Sequence, residues 1–249
     1  MTQLATYTRY ELLRTLRNKQ SFIFSIIFPI IMFCLFAAPN RNVKNFAGVP
    51  GLSATKYYMV SLLAFGAMVA VVGGGARIAA ERTVGWNRIL RLTPLTSSAY
   101  LRTKVLVGYL MALLTLLLMY AAGVIFGVRL GASTWLTMTG LVLIALAPIA
   151  ALGIGLGHLL NDDAVGPATG GGVSLLAFLG GSYFPITGGG WFPAVCKLLP
   201  SFWLVRAGKV GYGGTHNPWG IEGWIVIAAW TVVLVAFAAW AFRRDTSKR

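Results

Sequence analysis

VLVGYLMALLTLLLMYAAGVIFGV, residues 105–128, runs for 24 residues without one charged side chain. A helix rises about 1.5 Å per residue, so the run reaches about 36 Å, enough to cross a hydrocarbon core of about 30 Å. Lipid offers its backbone no hydrogen-bond partner, so it must be helical. Five more apolar runs surround it: 22–38, 57–80, 136–160, 165–184 and 221–242. Tyr57, Tyr58, Trp135, Tyr183, Phe184, Trp219 and Trp224 stand near the ends of these runs, where amphipathic rings favour the water–lipid boundary. The expected architecture is an all-α integral membrane domain over residues 1–249, with six transmembrane helices.

Composition agrees. Of 249 residues, 57% are hydrophobic and 11% are charged, and mean hydropathy is +0.74. A soluble domain carries about a quarter charged residues. The balance argues against a self-contained soluble enzyme, and excludes a disordered chain, a disulfide scaffold and a collagen-like fibre. The net charge of +15 could suit nucleic acid on a soluble chain. Here the cations sit between apolar runs, where they report orientation and contact with lipid, so no nucleic-acid partner is expected. Fourteen Lys and Arg fall in the termini and the segments on their side of six spans, against seven on the other side. The positive-inside rule then places both termini in the cytoplasm. Cys34 and Cys196 show no metal-ligand spacing, and pairing between them is not expected. The run 22–38 follows basic residues, but Phe36-Ala37-Ala38 is a poor cleavage site, so it is expected to stay as a helix.

Three segments outside the spans are patterned. Residues 1–20 place Leu12, Leu13 and Leu16 on one side of a helix, with Glu11 and Arg14, an i,i+3 pair, opposite. An amphipathic helix along the membrane surface fits, as does a plain basic flank. In 81–95, Trp86, Ile89 and Leu90 share one helical face, Arg88 and Arg91 share another, and Pro94 ends the helix. Such a helix suits docking on a cytoplasmic partner or resting on lipid. In 185–218, Pro185, Pro193 and Pro200 interrupt an apolar stretch that carries Trp191, Phe192, Phe202 and Trp203. Too short to span twice, it is expected to dip into the outer leaflet as one or two short helices that cap something.

Catalytic and metal signatures are lacking. There is no phosphate-binding G-x-x-x-x-G-K-[ST] loop. His158 and His216 lack partners at ligand spacing, and Asn161, Asp162 and Asp163 read as a helix cap and turn. No span carries the central carboxylate or histidine of a proton-coupled carrier. Uphill transport would draw its energy from outside the chain.

Taken together, the chain resembles the six-span permeases of the type-2 ABC exporter class, close in style to bacterial drug and antibiotic-resistance exporters. The loop Glu81-Arg82-x-x-Gly85, followed by Arg88, Leu92 and Thr93-Pro94, matches that family's E-R-[ED]-x-G-T…L…T-P coupling segment, with Thr83 and Trp86 as departures. The stretch from Pro185 through Trp191-Phe192-Pro193 to Leu199-Pro200 and Ala207 resembles its outer re-entrant helices, and residues 1–20 its connecting helix. The resemblance implies a multi-pass protein of the bacterial cell membrane. It implies two six-span permeases, of the same or homologous chains, around a central pathway. Two copies of a separate ATPase, carrying ATP and Mg, would bind below, and this chain would hold no cofactor or metal and catalyse nothing itself. Glu81, Arg82, Gly85, Trp86, Arg88, Ile89, Leu90, Arg91, Leu92 and Pro94 would couple to the ATPase, beside Glu11, Arg14 and Arg17 of the connecting helix. Spans two and five would line the pathway, offering Met59, Phe65, Met68, Phe178, Tyr183 and Phe184 to a hydrophobic or amphipathic compound. Export of a polysaccharide or lipid-linked glycan is the alternative, and an ion-gradient carrier a more distant one. Trp191, Phe192, Pro193 and Trp203 would hold the outer cap closed.

Two glycine triplets add one expectation. Gly73-Gly74-Gly75 and Gly170-Gly171-Gly172 lie at matching depths, about 8–10 Å from the inner ends of spans two and five. Small residues let helices approach closely, so the triplets are expected to face each other as an inner gate, with static close packing as the alternative.

Overall fold

A computed structural model describes residues 2–46, 51–85, 96–186, 190–212 and 219–247. Its secondary structure is helical, and no strand occurs among the described residues. Helix α1 is Thr2–Arg17. After Asn18, whose side chain accepts from the Ser21 amide, α2 (Lys19–Phe22) runs through a π-helical turn (Ile23–Ile27) into α3 (Phe28–Ala37). The long helices α4 (Ala54–Thr83) and α5 (Ser97–Ile125) are capped by Ser53 and Thr96, each accepting from a first-turn amide. Gly85 adopts φ +70° just past α4, the left-handed geometry that a helix end asks of glycine.

Helices α6 (Ala132–Ala145) and α7 (Ala147–Leu159) form one rod with a break at Leu146. Pro148 lacks the amide that would continue the ladder there. Helix α8 is Asp162–Leu179, α9 Trp191–Lys197, α10 Pro200–Gly208 and α11 Gly220–Ser247.

Among the described residues, five rods are long and apolar enough to cross a membrane: Lys19–Ala37, Ala54–Thr83, Ser98–Ile125, Ala132–Leu159 and Gly220–Asp245. The remaining expected run, 165–184, is helical over most of its length, as α8. However, two aspartates occupy its first turn and glycines fill its middle, so it falls short of the other five in apolarity.

Helix α4 is the hub. Its apolar window is 83% buried, against 17% for α11, and it touches α3, α5, α7 and α8. Glycine permits the closest of these approaches. Gly75 of α4 lies against the backbone of Gly153 and Gly157, one turn apart on α7, so that a Cβ on Gly75 would collide with the Gly153 carbonyl. Gly155 turns the other way, to Phe237 of α11.

The second triplet behaves differently: a Cβ on Gly170, Gly171 or Gly172 would meet nothing within 4 Å. Gly73 and Gly170 line one cleft from opposite walls, and the close backbone approach of α4 is to α7.

We expect Gly75→Ala to destabilise the detergent-solubilised protein by about 1–3 kcal/mol, because backbone atoms must part to admit the methyl. Gly171→Ala should leave the melting temperature unchanged or slightly raised, since it adds helix propensity in open space. Thermal unfolding of both variants, followed by fluorescence-detected size exclusion, reads the difference. Equal behaviour would contradict the assignment.

Candidate functional site

The last two turns of α4 carry Arg77, Glu81 and Arg82, and the first turns of α5 carry Tyr100 and Lys104. Both Arg77–Glu81 and Tyr100–Lys104 are i,i+4 pairs, so each helix presents its two groups on one face. Helix α1 crosses this corner and adds Glu11 and Arg14.

The Lys104 ammonium, with 0% of its side chain exposed, donates to Glu11 Oε1 at 2.5 Å and to Glu81 Oε1 at 2.6 Å. Arg14 Nη1 donates to Glu81 Oε1 at 2.7 Å, and the Tyr100 hydroxyl donates to Glu81 Oε2 at 2.5 Å. Arg77 Nε stands 3.8 Å from Glu11 Oε1. Three cations thus surround two carboxylates, all nearly out of water except Arg14. Charges in such a place are tolerated only when each finds its counter-charge and hydrogen bonds.

Arg82, the next residue, points elsewhere. Its Nη2 lies 2.9 Å from Asp245 Oδ1 of α11, and its Nη1 donates to the carbonyls of Gly157 and Leu160 at the end of α7. His158 Nδ1 approaches Asp245 Oδ2 at 3.1 Å, with its ring edge-on to Phe242. Side chains one residue apart point about 100° apart on a helix, so one turn of α4 grips α1 and α5 on one flank and α7 and α11 on the other.

A cleft of about 820 Å³ opens beside Arg77, between the α2–α3 rod, α4 and α8. Phe65 and Tyr183, two of the expected pathway residues, line it, as do Gly73 and Gly170. Met59 and Met68 do not: both are fully buried in the core, where they pack rather than face a ligand. Phe178 and Phe184 meet edge-to-face at 4.7 Å and are about 40% exposed.

At the other end of the rods, Trp191 is 79% exposed and touches Phe192, whereas Trp203 is buried against Phe202 and Trp219. The expected cluster of Trp191, Phe192 and Trp203 is thus two separate contacts. Pro193 sits within α9. Burial, with Arg206 close by, lowers the nearby Lys209 ammonium to about 8. Both cysteines are free thiols.

Helix α1 corrects its sequence reading. Glu11 was expected to face away from the leucines, but it is buried with Thr15, while Leu13 is 41% exposed. The inward stripe is Glu11, Leu12, Thr15 and Leu16, because α1 packs on protein charge rather than on lipid alone. Arg17 is exposed. Glu81 is likewise buried.

Arg77, Tyr100 and Lys104 escaped the sequence reading as site residues, since the two cations counted as loop charges; their i,i+4 spacing to Glu81 and Tyr100 was the available signal. Trp86, Arg88, Ile89, Leu90, Arg91, Leu92 and Pro94 lie outside the described residues. No group of three His, Cys, Asp or Glu able to hold a metal occurs among the described residues.

Long apolar rods around a buried hub, tied at one end by ion pairs and opening a cleft along that hub, define a multi-pass membrane protein of the transport kind. The chain belongs to the ABC-2 type transporter family, whose model matches residues 2–211. It is similar, at 29% identity over 211 residues, to a Bacillus subtilis (strain 168) protein named "Putative transport permease YvfS", over 80% of this chain and 84% of that protein. Membership makes it the transmembrane permease of an ABC transporter, a part that works with an ATPase.

Removing one member of the buried cluster should cost more than removing a pair. Lys104→Met should destabilise the protein by about 3–5 kcal/mol, because it strands two carboxylates. Adding Glu81→Gln should recover part of that loss, a non-additivity that a double-mutant cycle of melting temperatures measures. Arg14→Ala should cost less, since that side chain is 55% exposed. Additive losses would mean that Lys104 and Glu81 are not coupled.

Proposed function

We propose that this chain is the permease of an ATP-driven exporter that moves hydrophobic or amphipathic compounds, drug- or antibiotic-like, out of a bacterial cell. In this reading α8 is the fifth of six spans, both termini are cytoplasmic, and a second permease, identical or homologous, completes the pathway. Two ATPase subunits engage residues 81–95 and α1 from the cytoplasm. The single observation that carries the reading is the double grip of Glu81 and Arg82 on four neighbouring helices, immediately before the chain enters that segment. A push on the segment would reach α1, α5, α7 and α11 together. Phe65 and Tyr183 would meet the compound in the cleft, Gly73 and Gly170 would flank its inner gate, and α9 and α10 would close the outer exit.

The test takes the permease with the ATPase that co-purifies with it, reconstituted in vesicles. Replacing Ile89 and Leu90 by aspartate should abolish substrate-stimulated ATP hydrolysis and export while the permease still assembles in the membrane. An unpaired charge buried at a protein contact costs about 3–5 kcal/mol, enough to uncouple. Normal stimulation and export in the double variant would overturn the proposal.

A further inference from the structure

The cleft beside α4 is not evenly apolar. Phe65 and Arg77 both line it and stand twelve residues apart on one helix, which sets them about 18 Å apart along the axis. Around Arg77 the wall is polar, with Asn18, Gln20 and Ser21; toward Phe65 it is aromatic, with Phe24, Phe28 and Tyr183.

Arg77 is also the under-satisfied cation of the buried cluster. Glu11 Oε1, its nearest counter-charge at 3.8 Å, is already held by Lys104. Its side chain is 11% exposed, and neither Nε nor Nη2 makes a hydrogen bond among the described residues. With Arg14 and Lys104 against Glu11 and Glu81, the cluster carries one positive charge in excess. A guanidinium at the wall of a cleft, in a cluster with one positive charge in excess, favours a single anion there. Asp162 also lines the cleft, is exposed, and makes no ion pair with Arg77, so a ligand with a second negative charge is disfavoured.

We propose that this cleft binds an amphiphile with a single acidic group, the acid at Arg77 and the apolar part along Phe24, Phe28 and Phe65. The inference rests on the exporter reading in that it names the substrate class of the same cleft. Such a molecule has two sources, an acidic membrane lipid or a free amphiphile, and both offer the same chemistry to Arg77.

The experiment is photolabelling of the full chain in native membrane vesicles with a diazirine-bearing palmitate, mapped by peptide mass spectrometry. Probes of the same chain length ending in an alcohol or a trimethylammonium group serve as comparisons. The carboxylate probe should label the α2–α3, α4 and α8 walls well above the other two. Losing a charge-assisted bond should lower that labelling about tenfold in Arg77→Gln, while Arg77→Lys retains most of it.

Because Arg77→Gln also disturbs the ion-pair cluster, Gly170→Leu supplies a second variant: it fills the cleft from a position with open space around it and leaves Arg77 in place. It too should lose labelling. A separate apolar cleft, lined by Leu101, Val105, Ile154 and Val235, gives the internal reference, since labelling there should not change in either variant. Displacement by phosphatidylglycerol assigns the lipid source, and displacement by dodecanoate alone the free amphiphile; either supports the proposal. Equal labelling by all three probes, or full labelling in a folded Gly170→Leu protein, would overturn it. Labelling needs no ATP and no ATPase, so its failure leaves the exporter reading standing. Labelling that persists where energised export is absent counts against that reading instead.

Discussion

One ammonium group, that of Lys104, determines how this end of the molecule is built. With its side chain wholly out of water, it must be paired, and the two carboxylates within reach come from different elements, Glu11 on α1 and Glu81 on α4. Neither carboxylate can leave without exposing the others to the full cost of burial. The position of α1 across α4 and α5 is therefore close to all-or-none. An exposed ion pair, worth about 0–1 kcal/mol, could not impose that. Tyr100 completes the set by donating to the oxygen of Glu81 that the cations leave free.

The same turn of α4 holds the opposite flank through Arg82, which bonds the last carbonyls of α7, at Gly157 and Leu160. Those acceptors have no amide partner within their own helix, and a guanidinium there meets both an unmet hydrogen bond and the negative end of the helix dipole. Arg82 can reach them because α4 and α7 touch two turns earlier, where Gly75 meets Gly153 and Gly157. Small side chains at one level thus make an ionic contact possible at another. Asp245 then brings in α11, the least buried of the rods.

Much of this was legible in the sequence, and what was not has physical causes. The rods could be read because lipid permits one backbone solution, and each expected run is helical within a few residues of its expected place. The run 165–184 differs in degree because Asp162 and Asp163 open α8. The face of α1 was misjudged because leucines and charges were weighed against lipid and water alone, a scale on which an inward Glu11 has no place. Arg77 and Lys104 entered only the charge count that sets orientation, for the same reason. The glycine triplets make the point most sharply. Of two identical tripeptides, one holds a close backbone contact at Gly75 and the other has open space around every Cβ position, since a glycine permits a close approach but does not supply the neighbour that makes it.

That asymmetry bears on how the cleft can change width. One wall, α4, is held toward its C-terminal end by close glycine contacts with α7 and by two sets of ion pairs. The facing wall, α8, has Pro167 within it and three successive glycines at which an added Cβ would meet nothing within 4 Å. A proline removes one rung of the helix ladder, and consecutive glycines lower the resistance to bending. The restraints on the two walls are unequal by construction. In the proposed exporter, a displacement applied at the base of α4 would be shared with α1, α5, α7 and α11 through these ion pairs, and the change in the gap would be taken up where the backbone resists least, in the middle of α8.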